Sequence, residues 1–150
     1  MRKVSIFAGS VYGNAQQVAE EVQIMLESEG VDAEVFADPS VSDFTDAEAV
    51  LVVTSTTGQG DVPPNLELFY DDLKAQLPPM GQKAFAVAAL GDSSYADSFC
   101  GAGKQFFKLL TTLEGKPVAD LLEVDAIETL SPEDEVTPWV KTLVSALAKD

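Results

Sequence analysis

The chain has 150 residues, 46% of them apolar, and a formal charge of −16 at pH 7. That length predicts one domain over residues 1–150, with a core large enough to fold without staples. The charge argues against nucleic acid and anionic membrane as partners, because both would be repelled. With no histidine, a Ser-His-Asp or Cys-His mechanism and histidine-ligated metal are excluded, and the single Cys100 permits no internal disulfide.

The elements read as follows in chain order. Val4 to Ala8 is strand one, entered with too short an apolar start for a signal peptide. Gly9 to Asn14 is its turn. A helix follows, with Ala15, Val18, Ala19, Val22, Met25 and Leu26 on one face and Gly30 at its end. Ala33 to Phe36 is a short second strand, and Pro39 to Thr45 reads as loop. Ala49 to Val53 is strand three, an unbroken apolar run of the kind buried on both faces. Pro63-Pro64 opens the next helix, whose apolar side is Leu66, Phe69, Tyr70 and Leu73.

Ala84 to Leu90 is strand four. Phe106, Leu109, Leu110 and Leu113 mark a third helix, closed by Gly115. Val118 to Val124 is a weaker fifth strand. The last helix carries Val136, Trp139, Val140, Leu143, Val144 and Leu147, with Ser131-Pro132 as cap and first turn or Pro138 as the start or a kink. Five strands alternating with four helices predict a parallel sheet covered on both faces. No segment reaches the ~20 apolar residues of a membrane span, so a soluble, cytoplasmic protein is expected.

Three polar, glycine-bearing loops follow strands one, three and four. In an open α/β sheet, ligands sit outside the carboxyl ends of the strands. Ser10-Val11-Tyr12-Gly13-Asn14-Ala15 leads into a helix whose first N–H groups and dipole suit a phosphate. It lacks the Lys of a nucleoside-triphosphatase loop and the G-x-G-x-x-G of a dinucleotide site, so a single phosphate monoester held for binding fits best. The competing reading is a plain turn in which Ser10 or Asn14 caps the helix. Thr54 to Asp61 offers hydroxyls and glycines with no bulky residue, a lining for a flat, heteroatom-rich ligand. Gly91-Asp92-Ser93-Ser94-Tyr95 puts an aromatic at a loop tip, placed for stacking. Cys100 reads as a buried or semi-buried thiol and not a reactive one.

These motifs resemble short-chain flavodoxins, in the group close to the flavin mononucleotide domains of sulfite reductase and cytochrome P450 reductase. The matching residues are Gly9-Ser10-x-x-Gly13-Asn14-Ala15, then Ser55-Thr56-Thr57-Gly58-Gln59-Gly60-Asp61-x-Pro63-x-Asn65. Leu90-Gly91-Asp92-Ser93-Ser94-Tyr95 follows, with Phe99-Cys100 and Gly103-Lys104. The resemblance covers essentially the whole chain. It implies a flavodoxin-like three-layer sandwich, a five-stranded parallel sheet of order 2-1-3-4-5 with helices on both faces, and flavin mononucleotide (FMN) as cofactor.

By the same resemblance, Ser10 to Ala15 would hold the phosphate. Ser55, Thr56, Thr57 and Gly58, continuing through Gln59, Gly60 and Asp61, would line one side of the isoalloxazine ring. Leu90, Gly91, Asp92, Ser93, Ser94 and Tyr95, with Phe99 and Cys100, would line the other, with Tyr95 stacking. The Gly58 carbonyl would answer flavin reduction, and Asp125 lies near where relatives place a flavin-contacting acid. Thr57 stands where related reductase domains often carry a second stacking aromatic. Between Tyr95 and Lys104 the chain is one residue longer than in close relatives.

The implied role is that of an electron carrier with no catalytic residues and no metal. It would be a monomer that shuttles single electrons at low potential from an NADPH-dependent reductase to an acceptor enzyme. No Lys or Arg lies between Lys3 and Lys74, while fourteen Asp and Glu do. That asymmetry suits electrostatic docking to a basic flavoprotein reductase and a downstream redox acceptor. A solvated acidic surface or a salt-rich habitat would produce the same bias. The alternatives are an FMN-dependent NAD(P)H:quinone-type reductase and an interaction module that has lost its flavin.

Overall fold

The computed structural model describes residues 2–10, 13–57, 60–92, 99–126, 128–129 and 131–149. The elements, in chain order, are β1 (Val4–Gly9), α1 (Asn14–Ser28), β2 (Ala33–Phe36), α2 (Val41–Thr45), β3 (Ala49–Thr54) and α3 (Pro64–Gln76). They continue with β4 (Ala84–Gly91), α4 (Gly101–Thr112), β5 (Lys116–Pro117), β6 (Leu122–Asp125) and α5 (Glu133–Ala148). All pairings between strands are parallel, in the order β2-β1-β3-β4-β5, with β6 also on β4. The predicted order 2-1-3-4-5 is the observed one.

The alternation of side chains explains the three layers. Val4, Ile6 and Ala8 of β1, Leu51 and Val53 of β3, and Ala86 and Ala88 of β4 face the core under α1 and α5. Phe7, Val50, Val52, Phe85 and Val87 face the other core, under α2, α3 and α4. Consecutive strand residues point to opposite faces, so a strand apolar at every position needs cover on both. The second core is built on rings. Phe7 stacks on Phe36 at 5.4 Å and on Phe69 at 5.2 Å, and Tyr70 meets Phe106 edge-on at 5.0 Å. Each such pair adds about 0.5–1.5 kcal/mol beyond its buried area.

Three expectations are corrected, and of the two starts offered for the last helix the earlier one holds. The stretch Pro39 to Thr45 is not all loop. Ser40 and Asp43 form a reciprocal capping box, in which each side chain bonds the other's backbone N–H, and this nucleates α2. Among the described residues there are thus five helices and not four.

The fifth strand is not continuous from Val118 to Val124. Register slips by two residues between Phe85↔Pro117 and Ala88↔Leu122, so β5 and β6 share one position in the sheet with a looped-out segment between them. Pro117 has no N–H to donate to a ladder there.

The last helix runs from Glu133 straight through Pro138, with Pro132 at its N-cap and three acids, Glu133, Asp134 and Glu135, in its first turn. Pro138 therefore does not start it. Negative charge at that end complements the helix dipole.

Gly115 does not supply the left-handed turn that ends α4. That residue is Glu114, at φ 67°. Gly115 is there for packing: a Cβ on it would stand 2.6 Å from Met80 Sδ and 2.7 Å from the Phe85 ring. At the end of α1 the expected glycine role holds. Gly30 has φ 80°, and N–H groups of Gly30 and Val31 close on the carbonyls of Glu27 and Leu26.

Candidate functional site

The carboxyl ends of β1, β3 and β4 bring the three loops together, because parallel strands all point the same way. Strand order reverses between β1 and β3, one leading on to β2 and the other to β4, which is where a crevice opens.

The first loop is tied down from outside. Asn65, in the first turn of α3, accepts from the Ser10 backbone N–H at 2.9 Å. Its amide donates to the carbonyls of Ala8 and Ala37, both at 2.8 Å. One side chain thus fixes the end of β1 and the segment after β2. Sequence reasoning quoted Asn65 in a motif without giving it a role. Its signal was an amide just behind Pro63-Pro64, where few donors are free.

Gly13 is the N-cap of α1, at φ 84°, a left-handed conformation suited to glycine. No side chain caps α1, and its first turn carries no acid. The reading of Ser10 or Asn14 as a simple helix cap is therefore overturned. The Ser10 hydroxyl is buried and has no hydrogen-bond partner among the described residues. An orphaned buried hydroxyl next to an uncapped helix start fits an anion, since both lack the acceptor they need. Val11 and Tyr12 lie outside the described residues.

The second loop closes on itself. Thr57 and Asp61 exchange backbone bonds, Asp61 N–H to Thr57 O at 2.7 Å and Thr57 N–H to Asp61 O at 2.9 Å. Gly58 and Gln59, at the tip, lie outside the described residues. Ser55 donates its N–H to the Gly9 carbonyl at 2.8 Å, joining this loop to the first. Thr54, fully buried, donates its hydroxyl to the Ser55 carbonyl at 2.9 Å.

The second loop is stitched to α4, the helix that the third loop leads into. Gln105 donates to the Gly60 carbonyl at 2.6 Å, and the Ala102 N–H donates to Thr56 Oγ1 at 3.2 Å. Gln105 is a second position that sequence reasoning missed. It looks like an ordinary surface residue one place before Phe106.

In the third loop, Leu90 is 7% exposed and packs into the core under α1 and α5, so its side chain lines the core and not the crevice. Gly91 lies against Cys100: a Cβ there would meet the Cys100 nitrogen at 2.8 Å. Cys100 is fully buried, and its thiol points to the Ala89 carbonyl at 3.5 Å. Burial, reinforced by Glu123 and opposed by Lys104, pushes that thiol up to about 12. It is a thiol held neutral, as the sequence suggested. Phe99 lies under the Lys104 ammonium, 5.9 Å from the ring centroid. Asp125 pairs in register with Gly91, and Ala126 donates to the Gly91 carbonyl at 2.8 Å, so the end of β6 stands beside this loop. Asp92 ends the described part of the loop. Ser93, Ser94 and Tyr95 lie outside the described residues.

Among the described residues no group of His, Cys, Asp and Glu is placed to hold a metal, and no helix is long and apolar enough to cross a membrane.

Comparison with known proteins agrees with this arrangement. Residues 6–139 match the family model described as Flavodoxin. Flavodoxin YqcA of Escherichia coli strain K12 is 43% identical over 143 residues, covering 94% of this chain and 95% of that one. Protein MioC of the same strain is 31% identical over 147 residues, covering 98% and 99%. Among solved structures, a cysteine-to-alanine mutant of flavodoxin from Pseudomonas aeruginosa superposes with a TM-score of 0.91 at 41% identity, covering 97% of this chain and 98% of that one. A Fusobacterium nucleatum flavodoxin bound to flavin mononucleotide has a TM-score of 0.81 at 17% identity, a likeness of fold. With the family model spanning all three loops and relatives matched end to end, this chain belongs to the flavodoxin family.

Proposed function

We propose that this flavodoxin carries single electrons at low potential between a basic, NADPH-dependent flavoprotein reductase and an acceptor enzyme. FMN is its cofactor, taking up and giving back the electrons. The observation that carries the reading is the buried, unpartnered Ser10 hydroxyl beside the uncapped start of α1. These groups, with Gly13, Asn14 and Ala15, would hold a phosphate. The second loop, tied to α4 through Gln105 and Thr56, would hold the ring together with the third.

The protein's own work is then binding and orientation. Those parts of the first and second loops that hydrogen bonds already fix lose little entropy when a ligand arrives. Asp61, Asp92 and Asp125 stand around the crevice, and a negative field there opposes adding charge to a ring, which lowers a reduction potential. Screening by salt keeps each exposed acid's share small. The same acidity would steer a basic partner to the crevice. The buried, neutral Cys100 requires no oxidising compartment, which supports a place in the cytoplasm.

Titration with FMN and with riboflavin tests the site. FMN should bind one-to-one and about 10- to 100-fold more tightly than riboflavin, since charge-assisted bonds to a phosphate are worth about 1.5–3 kcal/mol. Equal affinities would remove the phosphate site. Potentiometry tests the carrier role: two one-electron steps should separate, the second well below the potential of free flavin. NADPH oxidation by the protein alone would favour a reductase instead. Electron transfer from a basic reductase should slow as salt rises, and a rate indifferent to salt would end the docking proposal.

A further inference from the structure

Gly60 is buried, and its carbonyl is paired from outside its own loop. The Gln105 side chain, 45 positions further along the chain, donates to it at 2.6 Å. A buried carbonyl needs a donor, so this bond fixes the local backbone as well as satisfying it. Gln105 lies one helical turn after Gly101, on the same face of α4. A Cβ on Gly101 would stand 2.9 Å from the Gly60 oxygen. Glycine at 101 therefore lets α4 come close, and glutamine at 105 supplies the donor. Both act on one oxygen, which is turned towards α4.

The contact runs in both directions. Cys100, the N-cap of α4, makes no side-chain cap bond. Thr56 of the second loop takes that place, its hydroxyl accepting from the Ala102 N–H at 3.2 Å. Between these anchors the Thr57 carbonyl accepts twice, from the Gly60 N–H at 3.2 Å and from the Asp61 N–H at 2.7 Å. Thr56, Thr57, Gly60 and Asp61 thus take one geometry through bonds internal to the protein, and α4 sets it.

An electron carrier needs a rim that tells redox states apart. Contacts made equally in every state cancel in a potential, and only contacts that differ between states move it. A rim fixed in advance fits one state better than its neighbours, whereas a rim free to readjust serves all of them alike. We propose that Gln105 is a positioning residue of the flavin site: by holding the Gly60 carbonyl on α4, it keeps the second loop in the geometry that separates the two one-electron steps of FMN. Gln105 acts through Gly60 and needs no contact with the ring. The proposal rests on the reading of this crevice as an FMN site.

Gln105→Met tests it, since methionine keeps the length of the side chain and removes the donor. In the full-length protein without ligand, the Asp61 N–H should exchange with solvent about tenfold faster than in the native chain, followed by NMR. Affinities for FMN and for riboflavin should fall by the same factor, about tenfold, because Gln105 acts on the loop that lines the ring and not on the phosphate. Potentiometry of the FMN-loaded protein should show the gap between the two one-electron potentials narrowed by about 59 mV. That is a tenfold fall in the equilibrium constant by which oxidised and doubly reduced protein yield two singly reduced ones. Gly115→Ala, at the far end of α4, lowers stability without touching the loop and should leave the gap as it is. A native chain with separated steps whose gap survives Gln105→Met would overturn the proposal and leave the FMN site standing. Equal narrowing in Gly115→Ala would also overturn it, by making the effect one of general stability. A fall in FMN affinity without a fall in riboflavin affinity would overturn it in favour of the phosphate loop. A native chain that binds no FMN would end the proposal and the reading beneath it together.

Discussion

Gly101 and Gly60 lie in backbone contact: a Cβ on Gly101 would stand 2.8 Å from Gly60 Cα and 2.9 Å from its carbonyl oxygen. Two residues without side chains let the start of α4 press on the loop after β3. Gly101→Ala places backbone against side chain with neither free to rotate away. It should lower unfolding free energy by about 1–3 kcal/mol in urea and weaken FMN binding about tenfold. Unchanged affinity with lowered stability would show that the contact serves folding alone.

Asn65 and Ser10 make opposite predictions although they touch the same loop. Asn65→Ala strands the Ser10 N–H and the carbonyls of Ala8 and Ala37, and should cost about 2–4 kcal/mol in denaturant unfolding without ligand. Ser10→Ala removes a hydroxyl that bonds to none of the described residues. The ligand-free protein should keep its stability to within about 0.5 kcal/mol, while FMN affinity falls about tenfold and riboflavin affinity does not change. A Ser10 variant that unfolds as readily as the Asn65 variant would contradict the unpartnered hydroxyl.

Cys100 should make the fold sensitive to alkali. Its thiol is pushed up to about 12 in the folded state, above the ordinary value near 9.0. Between those two values the unfolded chain loses its thiol proton while the folded chain keeps it. Stability from this group is therefore complete below pH 9 and falls as pH rises towards 12. The slope is at most about 1.4 kcal/mol per pH unit. Urea unfolding from pH 8 to 10.5, beside Cys100→Ala, should show a steeper decline in the native protein. A thiol reagent should label the folded chain slowly at pH 8, and rapid labelling would contradict the burial.

Glu114 carries a left-handed backbone that glycine adopts more easily. Glu114→Gly should raise unfolding free energy by about 0.5–1 kcal/mol, the relief of strain exceeding the added freedom of the unfolded chain. Gly115→Ala should lower it by about 1–3 kcal/mol through collision with Met80 and Phe85. If alanine at position 115 stabilised and glycine at 114 did not, the roles of the two neighbours would be reversed.

Much of this protein is determined by its local sequence. Ala49 to Val53 and Ala84 to Leu90 are apolar at consecutive positions, and runs this short, bounded by glycine-bearing loops, suit strands buried on both faces. From that the parallel sheet, its helical cover and the end where loops gather all follow. Ser40 and Asp43 form a capping box in a stretch that reads as loop, because a five-residue helix has too few turns to show a period. What the tertiary structure alone decided are relations between distant residues. Asn65 reaches Ala8 and Ala37, Gln105 reaches Gly60, and Gly101 lies on Gly60. No periodicity marks such contacts, because each depends on the separation of two loops once helices have packed on the sheet.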